Sequence, residues 1–219
     1  MVEKIKKGAI KMHTDKKVLR KIDLYHPDGL LDHSSKFFLH MASARHPDVK
    51  AHAERVALLT QEVAIKEKLD VKAAFFAGLL HDIGKIVLPD SLFDGHNIDA
   101  EEYATVKEHA LLAFNILKDT HLFVALCAGL HHNVYKAGYG ITQAEFPDYF
   151  GVDTIKKVLD ISVIISICDF IDAFTHRDTK IKDGSDSKSP KLRDMLHQKY
   201  PNDYRLVEVS LKANKELGL

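Results

Sequence analysis

Strand-like alternation of apolar and polar residues is nearly absent from this 219-residue sequence, which argues against a sheet-built core from the outset. Cysteine is scarce as well. Only Cys127 and Cys168 occur, each inside an apolar run (FVALCAGL and VIISICDF), so no disulfide framework is expected and both read as small buried thiols in a reducing setting. Neither sign of charge predominates, because Lys plus Arg and Asp plus Glu number 31 each. No global field therefore directs the chain to nucleic acid or to an anionic membrane surface. Long apolar runs are missing too: VLDISVIISICDFIDAF is interrupted by Asp160, Asp169 and Asp172, too many charges for a bilayer span. The basic start, MVEKIKKGAIKMHTDKK, leads into no continuous apolar segment, so neither a signal peptide nor an anchor is expected, and the setting expected is cytoplasmic. No internal repeat is evident. No Ser or Cys sits in a context that suggests a nucleophile.

What the sequence does contain is helical periodicity. Leu30 to Met41 has apolar residues at helix spacing, and HPDVKAHAERVALLTQEVAIKEKL places Val49, Ala53, Val56, Leu59 and Val63 on one stripe, with Pro47 suited to a first turn. DVKAAFFAGLLHDIGK is apolar almost all round and is therefore central. DAEEYATVKEHALLAFNILKD reads as one helix with acidic residues in its first turn, followed by a buried helix LFVALCAGLHH and a loop NVYKAGYG. Residues 153–176 read as a long internal helix, KIKDGSDSKSP (180–190) as an exposed loop, and two short helices close the chain. The fold class expected is all-α, with residues 1–45 as an N-terminal helical extension and residues 46–219 as the main domain.

Histidine stands out in the composition, with 14 residues. Several of these, with carboxylates, sit on or beside apolar helix faces, where an unpaired charge costs several kcal/mol by desolvation, about 2–7 for a polar group alone. Asp48 and His52 lie four apart on one helix face. His81 and Asp82 end the next helix, His109 lies in the third, His131 and His132 end the fourth, and Asp169 lies in the fifth. Taken singly, each has an ordinary explanation, such as a histidinium favoured at a helix C-terminus or an Asp paired with a basic residue. Five consecutive apolar helices each contributing imidazole or carboxylate point instead to a metal site of the zinc, iron, manganese or nickel type. Four ligands serve one ion, and His109, His131 and His132 are a surplus that a second ion, about 3.5–4 Å from the first, would use.

These residues, in the order His52, HDIGK, KEHALLAFNIL, GLHHN and ICDFIDAFTHR, resemble the HD-domain phosphohydrolase superfamily over roughly residues 45–180. More narrowly they are similar to its HD-GYP subgroup of cyclic di-GMP phosphodiesterases. The resemblance implies an HD helical bundle in which His52, His81, Asp82 and Asp169 are the shared metal ligands. His109, His131 and His132 would add a second divalent ion, iron or manganese, with Asp82 as the bridge, and Asp48 stands where some members use a Glu for a third. It also implies attack on phosphorus by a hydroxide held between the ions, with Asp82 and Lys85 as catalytic residues, and substrate contacts from Lys85, Tyr139, Arg177 and Lys180. The partner implied is a small nucleotide, with no nucleic acid and no membrane, and a homodimer is the assembly considered. The sequence departs from the subgroup in HHNVYKAGYGI, which keeps Gly138 and Tyr139 but has Gly140 where proline is usual, lacks the Asp-Gly pair and is one residue shorter. The loop shape, and with it substrate choice, is open at this point. So are the alternatives of an HD hydrolase of other phosphate esters and of a non-catalytic nucleotide-sensing HD protein.

Overall fold

A computed structural model of the chain describes residues 2–25, 29–176 and 191–219, with side chains from residue 14 onward. The described residues form ten α-helices and no strand: α1 (Val2–Tyr25), α2 (Gly29–Arg45), α3 (Pro47–Glu67), α4 (Val71–Leu80), α5 (Ala100–Lys107), α6 (His109–Leu117), α7 (Leu122–Leu130), α8 (Val152–His176), α9 (Leu192–Lys199) and α10 (Tyr204–Leu217). The all-α expectation holds. The loop expected at 180–190 lies outside the described residues.

Local chemistry sets the helix limits. Pro47 begins α3, and Lys68, at φ 56°, turns the chain left-handed and donates its backbone N–H back to Ala64 and Ile65. Asp70 then accepts from the Ala73 amide at 3.0 Å to start α4, and Asp99 with Glu102 forms a reciprocal capping box on α5.

Every residue from Ala74 to Leu80 of α4 is buried, so this helix is surrounded on all sides. Helices α3 and α8 each have apolar residues in two cores. One gathers Phe38, Phe75, Phe76, Leu79, Leu80, Leu126 and Ile161, and Val18 and Ile22 from α1 belong to it. The other joins Val56, Leu59, Ile164 and Ile167 to Leu196, Tyr200 and Val207 from the C-terminal helices. Each such side chain contributes about 1.5–3 kcal/mol on burial, so α3 and α8 are fixed from both sides. Polar groups carried between two cores are therefore held on a rigid frame.

One element differs from the periodicity. Residues 99–119, which read as a single helix, divide at Glu108 into α5 and α6. The Glu108 amide bonds to the Thr105 carbonyl at 3.1 Å, an i→i−3 contraction that ends one helix before the next begins. His109 is thereby the first residue of α6, and α6 packs on a 3₁₀ turn over Ile83–Val87, directly after His81 and Asp82.

Candidate metal centre

His81, Asp82, His109, His131 and His132 sit at helix ends, whereas His52 and Asp169 lie within α3 and α8. His81 and His131 are the residues that follow α4 and α7, and both keep helical backbone angles. Their rings fold back: Nδ1 of His81 lies 2.8 Å from the Gly78 carbonyl, and Nδ1 of His131 lies 2.5 Å from that of Ala128. His109 Nδ1 repeats the contact with the Val106 carbonyl at 2.6 Å. A carbonyl only accepts, so Nδ1 donates in all three rings and Nε2 is left with its lone pair. His52, on α3, is oriented differently, with Nδ1 2.7 Å from Oδ2 of Asp172 on α8.

The Nε2 atoms of His52, His81, His109 and His131, and Oδ1 of Asp82, are all buried without a hydrogen-bond partner. A single orphaned buried polar atom costs about 1–3 kcal/mol. Five of them converging on one region are what a cation site requires.

Asp82 stands at the middle. Its Oδ1 lies 3.3 Å from His109 Nε2, and its Oδ2 lies 3.4 Å from both His52 Nε2 and His81 Nε2 and 2.5 Å from Lys85 Nζ. Asp169 Oδ1 lies 3.1 Å from His52 Nε2, and its Oδ2 is 3.8 Å from His132 Nε2. Three overlapping sets result, each with ligand atoms within 4.8 Å of one another: His52, His81 and Asp169; His109, His131 and His132; and His81, Asp82 and His131. Neutral imidazoles with carboxylates suit divalent transition metals, and the residues present fit such ions.

The electrostatics agree with that fit. Burial, above all, pushes His109 down to about 4 and His132 to about 3, and His131 well below the usual imidazole range, so all three rings stand neutral and ready to coordinate. Burial opposes ionisation of Asp82 and Asp169. The neighbouring His81 and Lys85, and for Asp169 the His52 ring, outweigh it and hold both carboxyls well below their ordinary range. Burial also opposes a charge on His52, yet Asp169, Asp172 and Asp82 together raise it well above the usual value. Three carboxylates thus favour positive charge at this corner, which a bound cation would supply in place of the proton on His52.

Among the other sequence candidates, Lys85 is buried beside Asp82, and Tyr139 stacks on the His132 ring at 4.4 Å between centroids with planes 29° apart. Asp48 is exposed in the first turn of α3 and belongs to none of the three sets. Arg177 and Lys180 lie outside the described residues.

Sequence reasoning missed Asp172 and Arg55. Asp172 accepts from Arg55 Nε at 2.6 Å and from its terminal nitrogen at 2.9 Å, and its carboxylate is also 3.2 Å from His176. The signal was present as spacing: Arg55 follows His52 by three on α3 as Asp172 follows Asp169 by three on α8, so each pair shares a helix face. Ligand and supporting residue thus form two matched rows.

Two glycines set the close approaches. A Cβ on Gly84 would run into the His109 carbonyl and crowd the Ala113 amide, so only glycine lets α6 carry His109 so near Asp82. Gly140 has φ +106°, a conformation closed to proline, and it lies against the Gly129 carbonyl, which accepts from the Ile141 amide at 3.0 Å. The departure from Gly-Tyr-Pro is therefore a different turn, one that ties the loop to α7.

The family model for the HD domain matches residues 49–175. A cyclic di-GMP phosphodiesterase of Pseudomonas aeruginosa is 24% identical over 192 residues, covering 80% of this chain and 44% of that protein. A cyclic di-GMP phosphodiesterase of Thermotoga maritima is 31% identical over 120 residues, 49% of this chain and 32% of that protein. The chain thus spans less than half the length of these curated relatives. No helix among the described residues is long and apolar enough to cross a membrane. The matched segment runs from α3 through α8, the stretch that carries every candidate ligand from His52 to Asp169, and the chain belongs to the HD domain family.

Proposed function

We propose that the chain is a metal-dependent phosphodiesterase of the HD-GYP type that hydrolyses a cyclic dinucleotide, cyclic di-GMP, with two divalent ions, iron or manganese. One observation carries the reading: Asp82 turns one oxygen to His109 and the other to His52 and His81, so two ligand sets share a single carboxylate. His52, His81 and Asp169 would hold one ion, and His109, His131 and His132 the other, with Asp82 common to both. A mononuclear HD hydrolase would leave the second imidazole set without a purpose. The names of the two relatives support the substrate.

When bound, the ions supply Lewis acidity to the phosphate and bring the pKa of a water near 7, by the general estimate of about 7 for such sites. The chain's own residues do the rest. Backbone carbonyls of Gly78, Val106 and Ala128 fix the tautomers of three ligand rings, and Asp172 orients His52. Lys85 Nζ, now on Asp82 Oδ2, is positioned to shift to a non-bridging phosphate oxygen as charge builds there. Tyr139, over His132, forms a wall for the substrate, and Arg177 and Lys180 are further phosphate contacts on this reading. Asp48 enters only if a third ion binds. The setting proposed is the cytoplasm, with the nucleotide as partner, neither nucleic acid nor membrane involved, and a homodimer as the assembly to test by sedimentation.

Metal analysis of protein purified without chelators, joined to hydrolysis of cyclic di-GMP with manganese or ferrous iron, tests the reading. Two equivalents per chain and turnover of the dinucleotide are expected. Zero or one equivalent refutes the binuclear centre, and turnover of simple phosphate esters alone refutes the substrate.

A further inference from the structure

His132 is the most accessible imidazole of its ligand set, and aromatic rings bracket it. Tyr139 stacks on its face, and the Tyr135 hydroxyl lies 3.2 Å from His132 Nδ1. Tyr135 leads outward to a cation. Lys199 Nζ, at the last residue of α9, sits 3.8 Å from the centre of the Tyr135 ring and 4.8 Å from that of Phe170, next to the ligand Asp169. Lys199 is partly buried and makes no ion pair among the described residues. Its other charged neighbour of note is Asp169 itself, which opposes the lowering of Lys199 by burial.

A partly buried ammonium without a carboxylate is uncommon, because desolvation disfavours it and its aromatic contacts return only about 0.5–2 kcal/mol. Contacts through Asp82, His109, His132 and Tyr135 join two cations, Lys85 on Asp82 and Lys199 on Tyr135. A cyclic dinucleotide carries two phosphodiesters, of which only one is attacked at a time.

We propose that Lys199 binds the phosphate of the substrate that is not being attacked, with Tyr135 as the platform that holds the ammonium in place, so that the end of α9 selects substrates with two phosphates. This rests on the cyclic dinucleotide reading above. The Lys199 ammonium donates to a phosphate oxygen as a charge-assisted hydrogen bond and leaves the chemistry at the metals untouched. It is a specificity residue for the far end of the ligand.

The test compares two substrates, cyclic di-GMP and bis(p-nitrophenyl) phosphate, which has a single phosphodiester, in the metal-loaded wild type, Lys199→Gln and Lys199→Arg. For Lys199→Gln, kcat/KM for cyclic di-GMP should fall about tenfold or more, mainly through KM, while that for the single diester, the metal content and the melting temperature stay unchanged. Lys199→Arg should recover most of the loss. Lys199→Met, which keeps the apolar stem on Tyr135 and Phe170, replaces Lys199→Gln if the latter melts early. Equal effects on both substrates, or none on either, overturn the proposal and leave the phosphodiesterase reading standing. A wild type that hydrolyses the single diester but not cyclic di-GMP overturns that reading, and the proposal with it.

Discussion

Removing metal should cost this protein stability as well as activity, and the structure sets the scale. Without cations the fold keeps five buried polar atoms without a hydrogen-bond partner, on His52, His81, Asp82, His109 and His131. At about 1–3 kcal/mol each, even the lower bound of about 5 kcal/mol matches the whole stability of a marginal domain. Water entering the centre relieves part of that, and the smaller term from mass action sets the observable change. An ion present at a hundred times its Kd adds about 2.7 kcal/mol, and two ions about twice that. For a chain of this size about 1 kcal/mol moves Tm by roughly 2–4 °C, so chelation should lower Tm by roughly 5–10 °C per ion. The helices should persist, because the two apolar cores flank the centre rather than depend on it. The measurement is melting followed by circular dichroism, for protein as purified, after exhaustive chelation, and after manganese or ferrous iron is restored. A chelated protein that melts within about 1 °C of the loaded one would refute the idea that these orphaned atoms are compensated by cations.

Three further outcomes follow from particular contacts. Gly84→Ala should force α6 away from the turn that follows Asp82, at a cost of about 1–3 kcal/mol, and metal analysis should show loss of the ion at His109, His131 and His132 with the other retained. Asp172→Asn leaves His52 less firmly oriented and Arg55 without its anion. Metal affinity measured by competition with a chelator should fall about 10–100-fold, and excess metal should restore activity; unchanged affinity would remove Asp172 from the centre's support. Far from the site, hydrogen bonds to Asp94 at 2.6 Å and then to Glu102 at 3.0 Å raise His96 to about 9. Because its folded value lies above the unfolded one, its local contribution is complete below about 6.5 and disappears as pH rises through about 9. NMR titration of His96 should show this, and Glu102→Gln should lower the midpoint.

The helices and the ligand types were legible because both depend on short-range pattern. Apolar stripes define α3, α4, α7 and α8, and a polar residue at the end of a nearly all-apolar helix such as α4 is conspicuous against its background. The division at Glu108 was not legible, since a single i→i−3 bond leaves the periodicity almost unchanged while it swings the next helix and its His109. Nor was the shape of the 138–140 loop: a glycine in place of a proline signals that φ has been released, and only the tertiary contact with Gly129 shows that the release goes to φ +106°. Lys199 is the extreme case. On a short polar helix a lysine reads as solvated, and nothing local marks it out. Its position over Tyr135 arises because the second apolar core, through Leu196 and Tyr200, docks α9 against α3 and α8. Residues that touch a metal carry their chemistry in their type, whereas residues that would choose the substrate acquire theirs from where the fold delivers them. A candidate ligand set can therefore be proposed from one line of sequence, whereas the proposed role of Lys199 needs the packing of the last helices.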